Sequence, residues 1–211
     1  MLKERAYTEF KERLFRGEFR PGQFLSQREL AEAIGLPIAP VRDALKKLQA
    51  EALVRVIPQR GIQITDVNAK LLRDAFELRG MLEVHAIRRF AGRGDVARLV
   101  ELERQTLSIG ARAAKGFTDE LGREFIRVDL ALHETLIEAL DNALIAEVYR
   151  VNADRVRLAQ LTNRLNADRL VAGTREHLEI IAALKRRDSE AAAAALERHL
   201  AAALLKLMGG A

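Results

Sequence analysis

Asp129 and His133 stand four residues apart in a stretch of helical periodicity, and His177 and His199 each fall on an apolar stripe further along the chain. Side chains at i and i+4 lie one above the other on a helix face. The stripe around the first pair reads Phe125, Leu132, Leu136 and Leu140, so a carboxylate and an imidazole take the side where a helix keeps Leu or Ile. Burying them is costly unless something compensates them, and a divalent metal ion does so. His177 is set among Leu170, Leu178, Ile181 and Leu184, and His199 among Leu196, Leu200 and Ala203. Asp188, inside the turn-forming run Arg187-Asp188-Ser189-Glu190, is eleven residues from each of these histidines. A chain that folds back there brings the two rings level, and Asp129, His133, His177 and His199 then converge. Three imidazoles and one carboxylate without thiolate suit zinc, nickel, manganese or iron and do not choose among them; zinc is the ion expected.

Two other readings compete. A lone buried histidine is ordinarily a hydrogen-bonded core residue, but three of the four histidines in the chain fall at these matched positions. An ion with open positions would also activate water. Hydrolysis needs a base beside that water, and Glu134, the nearest carboxylate in sequence, points about 100° away from His133 round the helix. No nucleophile elbow, phosphate loop or zinc-protease helix motif occurs, so we expect no enzyme. The fourth histidine, His85, lies near Glu83 and Arg88 and is expected at the surface or at a pocket rim.

The elements that must position these side chains are helices. Of 211 residues 49% are apolar, only four are Pro and none is Cys, which favours a mainly α protein without disulfides or thiolate ligands. Six helical stretches are expected at about 69–92, 95–115, 118–140, 142–164, 167–187 and 189–208. They are punctuated by Gly92 and Gly94, Gly116, Asp141-Asn142, Asn166 and Asp188-Ser189. Short loops make successive helices antiparallel neighbours in a bundle. On the fourth of them Asn152 and Arg155 sit amid Val148, Val151 and Val156 and read as facing inward, where they are candidates for binding a small molecule.

The first sixty residues carry twelve Lys/Arg against eight Asp/Glu, and so hold most of the formal +5 of the chain. Such a bias suits a polyanion. Leu2, Ala6, Phe10 and Leu14 share a helix face, and Gly17 with Pro21-Gly22 ends that helix. Ser26-Gln27-Arg28-Glu29 is a capping box opening a helix with the stripe Leu30, Ala33, Ile34, closed by Gly35. After the turn Leu36-Pro37-Ile38-Ala39, Pro40 starts a helix with Val41, Leu45 and Leu48 inward and Arg42, Lys46 and Gln49 outward. Val54–Ile57 and Ile62–Ile64 read as two strands around Pro58-Gln59-Arg60-Gly61, a hairpin with a cation at its tip. The order of parts is that of a winged helix-turn-helix, in which one exposed helix enters the major groove and flanking cations hold phosphates. Thr65-Asp66-Val67-Asn68 reads as linker and cap, dividing the chain into 1–66 and 67–211.

At Arg20-Pro21-Gly22, Leu25, Arg28-Glu29-Leu30-Ala31, Pro40-Val41-Arg42-Asp43-Ala44-Leu45, Leu48 and Arg60-Gly61 the chain resembles the GntR family of bacterial repressors. The resemblance implies DNA contacts by Arg28, Arg42 and Arg60-Gly61. Lys46 on the face of Arg42, and Gln59 at the hairpin tip, join them as candidates. Pro37-Ile38-Ala39 stands where that family usually has Ser-Arg-Thr, so a base-reading arginine is absent at Ile38.

The second half resembles the FCD-type ligand-binding domain of the FadR subgroup. The residues that carry this are Glu77-Leu78-Arg79 with Glu83, Asp129 with His133, Asn142, Glu176-His177, Asp188 with Glu190, and His199-Leu200; six helices place it in the VanR-like branch. The resemblance implies a divalent ion on Asp129, His133, His177 and His199, and an effector carboxylate on Arg79. The expected protein is a homodimeric repressor that binds operator DNA under control of a small organic acid. The competing reading is a regulator for which the ion itself is the signal; a metal-dependent enzyme with a nucleic-acid module stands third. With no apolar run near eighteen residues and no signal peptide, we expect a cytoplasmic protein with no membrane partner.

Overall fold

The computed structural model describes residues 1–162 and 165–209, with the side chains of residues 91–93 excepted. These residues form two compact units, 1–75 with 151–162 and 76–150 with 165–209. The expected division at 66/67 follows the linker; by compactness the first unit also takes in residues 67–75 and 151–162.

In the first unit α1 (Leu2–Phe15) packs on α3 (Ile38–Ala50) through Ala6, Tyr7, Phe10 and Leu14, while Leu2, at the open end of the stripe, is exposed. The helix α2 (Gln27–Ile34) has the expected capping box: Ser26 Oγ accepts from Glu29 N at 3.1 Å, and Glu29 Oε2 accepts from Ser26 N at 2.7 Å. Its buried face is Leu30, Ala31 and Ile34, with Ala33 exposed instead, because a short helix seated on α3 turns Ala31 inward. Gly35, in the left-handed region at φ +67°, closes it. The next helix starts at Ile38 rather than Pro40. Pro37 is its N-cap and Pro40 still falls in the first turn, where its missing N–H is no loss.

The hairpin is β2 (Val54–Ile57) against β3 (Gly61–Ile64), in antiparallel register Val54↔Ile64 to Ile57↔Gly61. A third strand, β1 (Phe24–Leu25), pairs with the other edge of β3, giving the order β1-β3-β2. Two residues carry no alternation to read, so only the pairing reveals that strand. Gly61 makes it possible. Its φ is +94°, and a Cβ there would lie 2.5 Å from Leu25 O.

The remaining helices are α4 (Ala69–Arg93), α5 (Val96–Ala113), α6 (Asp119–Glu138), α7 (Ala143–Gln160), α8 (Ala167–Lys185) and α9 (Ser189–Gly209). They match the six expected stretches to within a few residues. The expected end of the fourth at 164 lies outside the described residues, and Leu140 falls beyond the end of α6. A polar side chain caps the start of every one. Asn68, Asp95, Thr118, Asn142, Asn166 and Asp188 accept from backbone N–H groups of the first turn. In the second unit α5 packs on α6 and α8, and α8 on α6 and α9, burying Leu99, Ile109, Leu132, Leu136, Ile180 and Leu196.

Replacing Gly61 by Ala should lower stability by about 1–3 kcal/mol, through left-handed strain and the clash with Leu25 O. A urea denaturation midpoint unchanged from wild type would show that the β1–β3 edge is looser than its register implies.

Candidate metal centre and nucleic-acid interface

The three histidines and Asp129 are brought together, all buried, with one ligand atom from each within 4.8 Å of the others. Asp129 and His133 come from α6, His177 from α8 and His199 from α9. Asp129 Oδ1 is 3.0 Å from His177 Nε2, 3.8 Å from His133 Nε2 and 3.9 Å from His199 Nε2, and the last two nitrogens are 3.3 Å apart. All three rings thus point the same atom, Nε2, at one place.

What turns them is a carboxylate behind two of the three. His133 Nδ1 is 2.6 Å from Glu83 Oε2, and His199 Nδ1 is 2.8 Å from Glu176 Oε2. A carboxylate accepts only, so each Nδ1 carries the proton and each Nε2 presents a lone pair. The carboxylates are themselves held. Glu83 Oε1 accepts from Arg79 Nε at 2.8 Å and from Tyr149 Oη at 2.9 Å, and Glu176 accepts from Arg169 Nη1 at 3.2 and 3.3 Å. His177 is oriented by stacking instead, its ring parallel to Phe125 at 5.6 Å between centroids. Gly173 lets Phe125 lie there, since a Cβ at 173 would come within 2.6 Å of that ring.

The electrostatics ask for a cation. Burial opposes ionisation of Asp129, but His133 and His177 beside it hold its carboxyl well below the usual range. Burial likewise opposes a charge on Glu83, yet Arg79 and His133 bring its pKa down to about 2. His133 is raised above its ordinary value although burial works against its charge, because Glu83 adjoins it. Burial first, and the neighbouring imidazoles after it, push His199 down to about 4, with Glu176 opposing. His177 Nε2 is buried, lies 3.0 Å from Asp129 Oδ1 and has no hydrogen-bond partner, an orphaned polar atom where the other two Nε2 atoms meet. Three such nitrogens and one carboxylate oxygen fit a divalent metal ion.

The other candidates are placed as follows. Arg79 is buried and engaged with Glu83, one carboxylate away from His133, and its guanidinium lies over Phe76. Asn152 Nδ2 donates to Ala75 O at 2.8 Å and Arg155 Nε to Glu51 O at 3.4 Å, both partners lying in the first unit. Val148, expected beside them on an inward face, is exposed; Tyr149, Asn152, Ala153, Asp154, Val156, Leu158 and Ala159 are buried on that helix. His85 is exposed, as is Glu134. Glu83, Glu176, Tyr149 and Arg169 are site residues to which the sequence alone assigns no role. The Arg79/Glu83 spacing of four and the adjacency of Glu176 to His177 were the available signals.

In the first unit Arg42 and Lys46 lie on the outer face of α3, and Arg28 on α2 has a side chain 81% exposed. Arg42 Nε donates to Gln27 Oε1 at 3.3 Å, and Lys46 Nζ to Asp43 Oδ1 at 3.0 Å. Gln59, at φ +63°, and Arg60 form the exposed hairpin tip with Gly61. An exposed cationic helix with a basic-tipped hairpin is the surface that a DNA groove and its phosphates require.

Comparison with known proteins follows this division. Residues 2–64 match the family described as bacterial regulatory proteins, gntR family, and residues 74–202 match the FCD domain. The HTH-type transcriptional repressor RspR of Escherichia coli (strain K12) is 27% identical over 183 residues, 85% of this chain and 77% of that protein. The solved structure of E. coli McbR/YncC superposes with a TM-score of 0.83 at 22% identity, over 99% of this chain and 98% of that one. The Zn2+-bound FCD domain of TM0439, a putative transcriptional regulator, does so with a TM-score of 0.56 at 26% identity, over 68% of this chain and 95% of that one. No helix among the described residues is long and apolar enough to cross a membrane.

His133→Ala and His177→Ala should each abolish most of the bound metal and lower the melting temperature, since an ion that binds only the folded state stabilises it. Inductively coupled plasma analysis of wild-type protein isolated without chelators decides the matter; a metal-free wild type would sink the assignment.

Proposed function

The chain belongs to the GntR family of bacterial regulatory proteins, in the class that carries an FCD domain, and from that membership we propose that it is a homodimeric repressor whose operator binding is set by a small carboxylate effector bound beside a divalent ion. That it is a DNA-binding transcriptional regulator follows from the family; repression is supported by the likeness to RspR. One winged unit spans few base pairs, so two copies on a palindrome make the physical sense of such a protein.

The observation that carries the effector reading is the convergence of Asp129 Oδ1 with three Nε2 atoms whose rings are fixed from behind. We assign the ion to these four side chains, and zinc as its identity, in keeping with the Zn2+-bound FCD domain of TM0439. An ion here supplies a positive centre that polarises whatever oxygen meets it. An ion that takes five or six ligands has room for one or two beyond these four. Arg79 is balanced by Glu83 and Arg169 by Glu176, so the divalent charge faces Asp129 alone and a net of about +1 remains. An anion compensates that surplus and a neutral ligand does not. Arg79 acts in this scheme through Glu83, holding His133 in place. Binding controls the operator only if the effector favours one of two arrangements of the dimer over the other.

Two measurements test the reading. Arg42→Ala should weaken operator binding by about 1–3 kcal/mol if the guanidinium meets a base edge; equal affinity at matched salt would remove Arg42 from the interface. Calorimetric titration of small mono- and dicarboxylic acids into metal-loaded and metal-stripped protein should give binding to the loaded form only. Equal affinity for both forms, with the stripped form shown to be folded by circular dichroism, would leave the ion a purely structural part.

A further inference from the structure

The outward face of α3 is not uniformly polar. Ile38, the first residue of the helix, has 41% of its surface exposed, whereas Val41, Ala44, Leu45 and Leu48 are buried. Ile38, Arg42 and Lys46 follow at intervals of four and so share one face. A large apolar side chain therefore stands at the tip of a helix whose next two outward side chains are cations. Arg28 and Arg60 add exposed cations on α2 and at the hairpin tip of the same unit.

We propose that Ile38 is a specificity-determining residue that reads the 5-methyl group of a thymine in the operator. The inference rests on the operator-binding reading above. The cations select a polyanion, and the outward face of a second helix meets the base edges of a major groove with its N-terminal residues. A side chain with no donor or acceptor cannot hold a phosphate or hydrogen-bond a base. Among base edges in the major groove, the one apolar group is the thymine methyl. Ile38 is placed to cover that methyl while Arg42, one turn along, takes the neighbouring base or phosphate. In both free partners the isoleucine and the methyl face water, and contact removes both from it.

The test uses the full-length protein loaded with its metal. Duplexes enriched from a random library by the wild type define the site, and each thymine of that site is then replaced in turn by deoxyuridine, which lacks only the methyl. Burial of one such group contributes about 0.8 kcal/mol, which is about fourfold in affinity at 25 °C. One thymine in each half-site should show a loss of that size with wild-type protein and none with Ile38→Ala. Ile38→Arg should enrich guanine at the same position, because a guanidinium pairs with guanine O6 and N7. A site in which no thymine is sensitive to methyl removal, or in which Ile38→Ala keeps the sensitivity, overturns the proposal and leaves operator binding standing. Enrichment of no sequence by wild-type protein overturns both.

Discussion

A carboxylate and three imidazoles buried in one helical interior are the constraint on which the second unit depends. Isolated, such groups would be expelled or neutralised, since moving an ionised carboxylate into a low-dielectric core carries a penalty of several kcal/mol. Here they are kept. Asp129 stays ionised among histidines, and His133 is drawn toward its charged form between two carboxylates. The core is thus incomplete as a hydrocarbon assembly and complete only around a positive charge. Asp129 Oδ1 lies 3.0 to 3.9 Å from the three Nε2 atoms. A divalent ion meets all four donors at once.

The rest of the unit serves that demand. Each helix entering the site starts at a polar cap, Thr118 for α6, Asn166 for α8 and Asp188 for α9, so its start is fixed by a local hydrogen bond. The ring orientations depend on Glu83 and Glu176, and those on Arg79, Tyr149 and Arg169. The order is guanidinium, carboxylate, imidazole, twice over. Each link restrains the next, so the rings of His133 and His199 are held with Nε2 turned toward Asp129 by contacts of the protein itself. The first unit follows the opposite economy. Its cations Arg28, Arg42, Lys46 and Arg60 lie outside, over the apolar core that includes Phe10, Leu30, Leu48 and Ile62. One unit holds charge inward for an ion; the other presents it outward for a polyanion.

The helices of both units were legible because their signals are local. Capping residues and the spacing of Leu, Ile and Val mark where each begins and which side is buried, as at Ser26 and at Asp188. The four convergent donors were legible for the same reason: polar residues on an apolar stripe stand out. Less was readable where a feature exists only by pairing. Two residues, Phe24 and Leu25, become a strand because β3 offers an edge and Gly61 admits the approach. The start of α3 at Ile38 was hidden by Pro40, which is as acceptable at the third helical position as at the first. The partner of His199 was unreadable, since nothing local joins it to Glu176, twenty-three residues back. Asn152 and Arg155 show a further limit. An inward direction on a helix does not say which neighbours it meets, and theirs are Ala75 O and Glu51 O.

The same geometry separates a binding site from a hydrolytic one. Water on a divalent ion becomes a nucleophile for turnover only when a base beside it can take up and return a proton. The carboxylates nearest the cluster have other partners. Asp129 is among the converging donors, Glu83 is tied to His133, Arg79 and Tyr149, and Glu176 to His199 and Arg169. The pKa of Glu83, about 2, makes it a poor base as well as an immobile one. Glu134, next in sequence to His133, is exposed on the other side of its helix. Each carboxylate beside the four donors is thus engaged or turned away, so the proton acceptor that turnover requires is not among them.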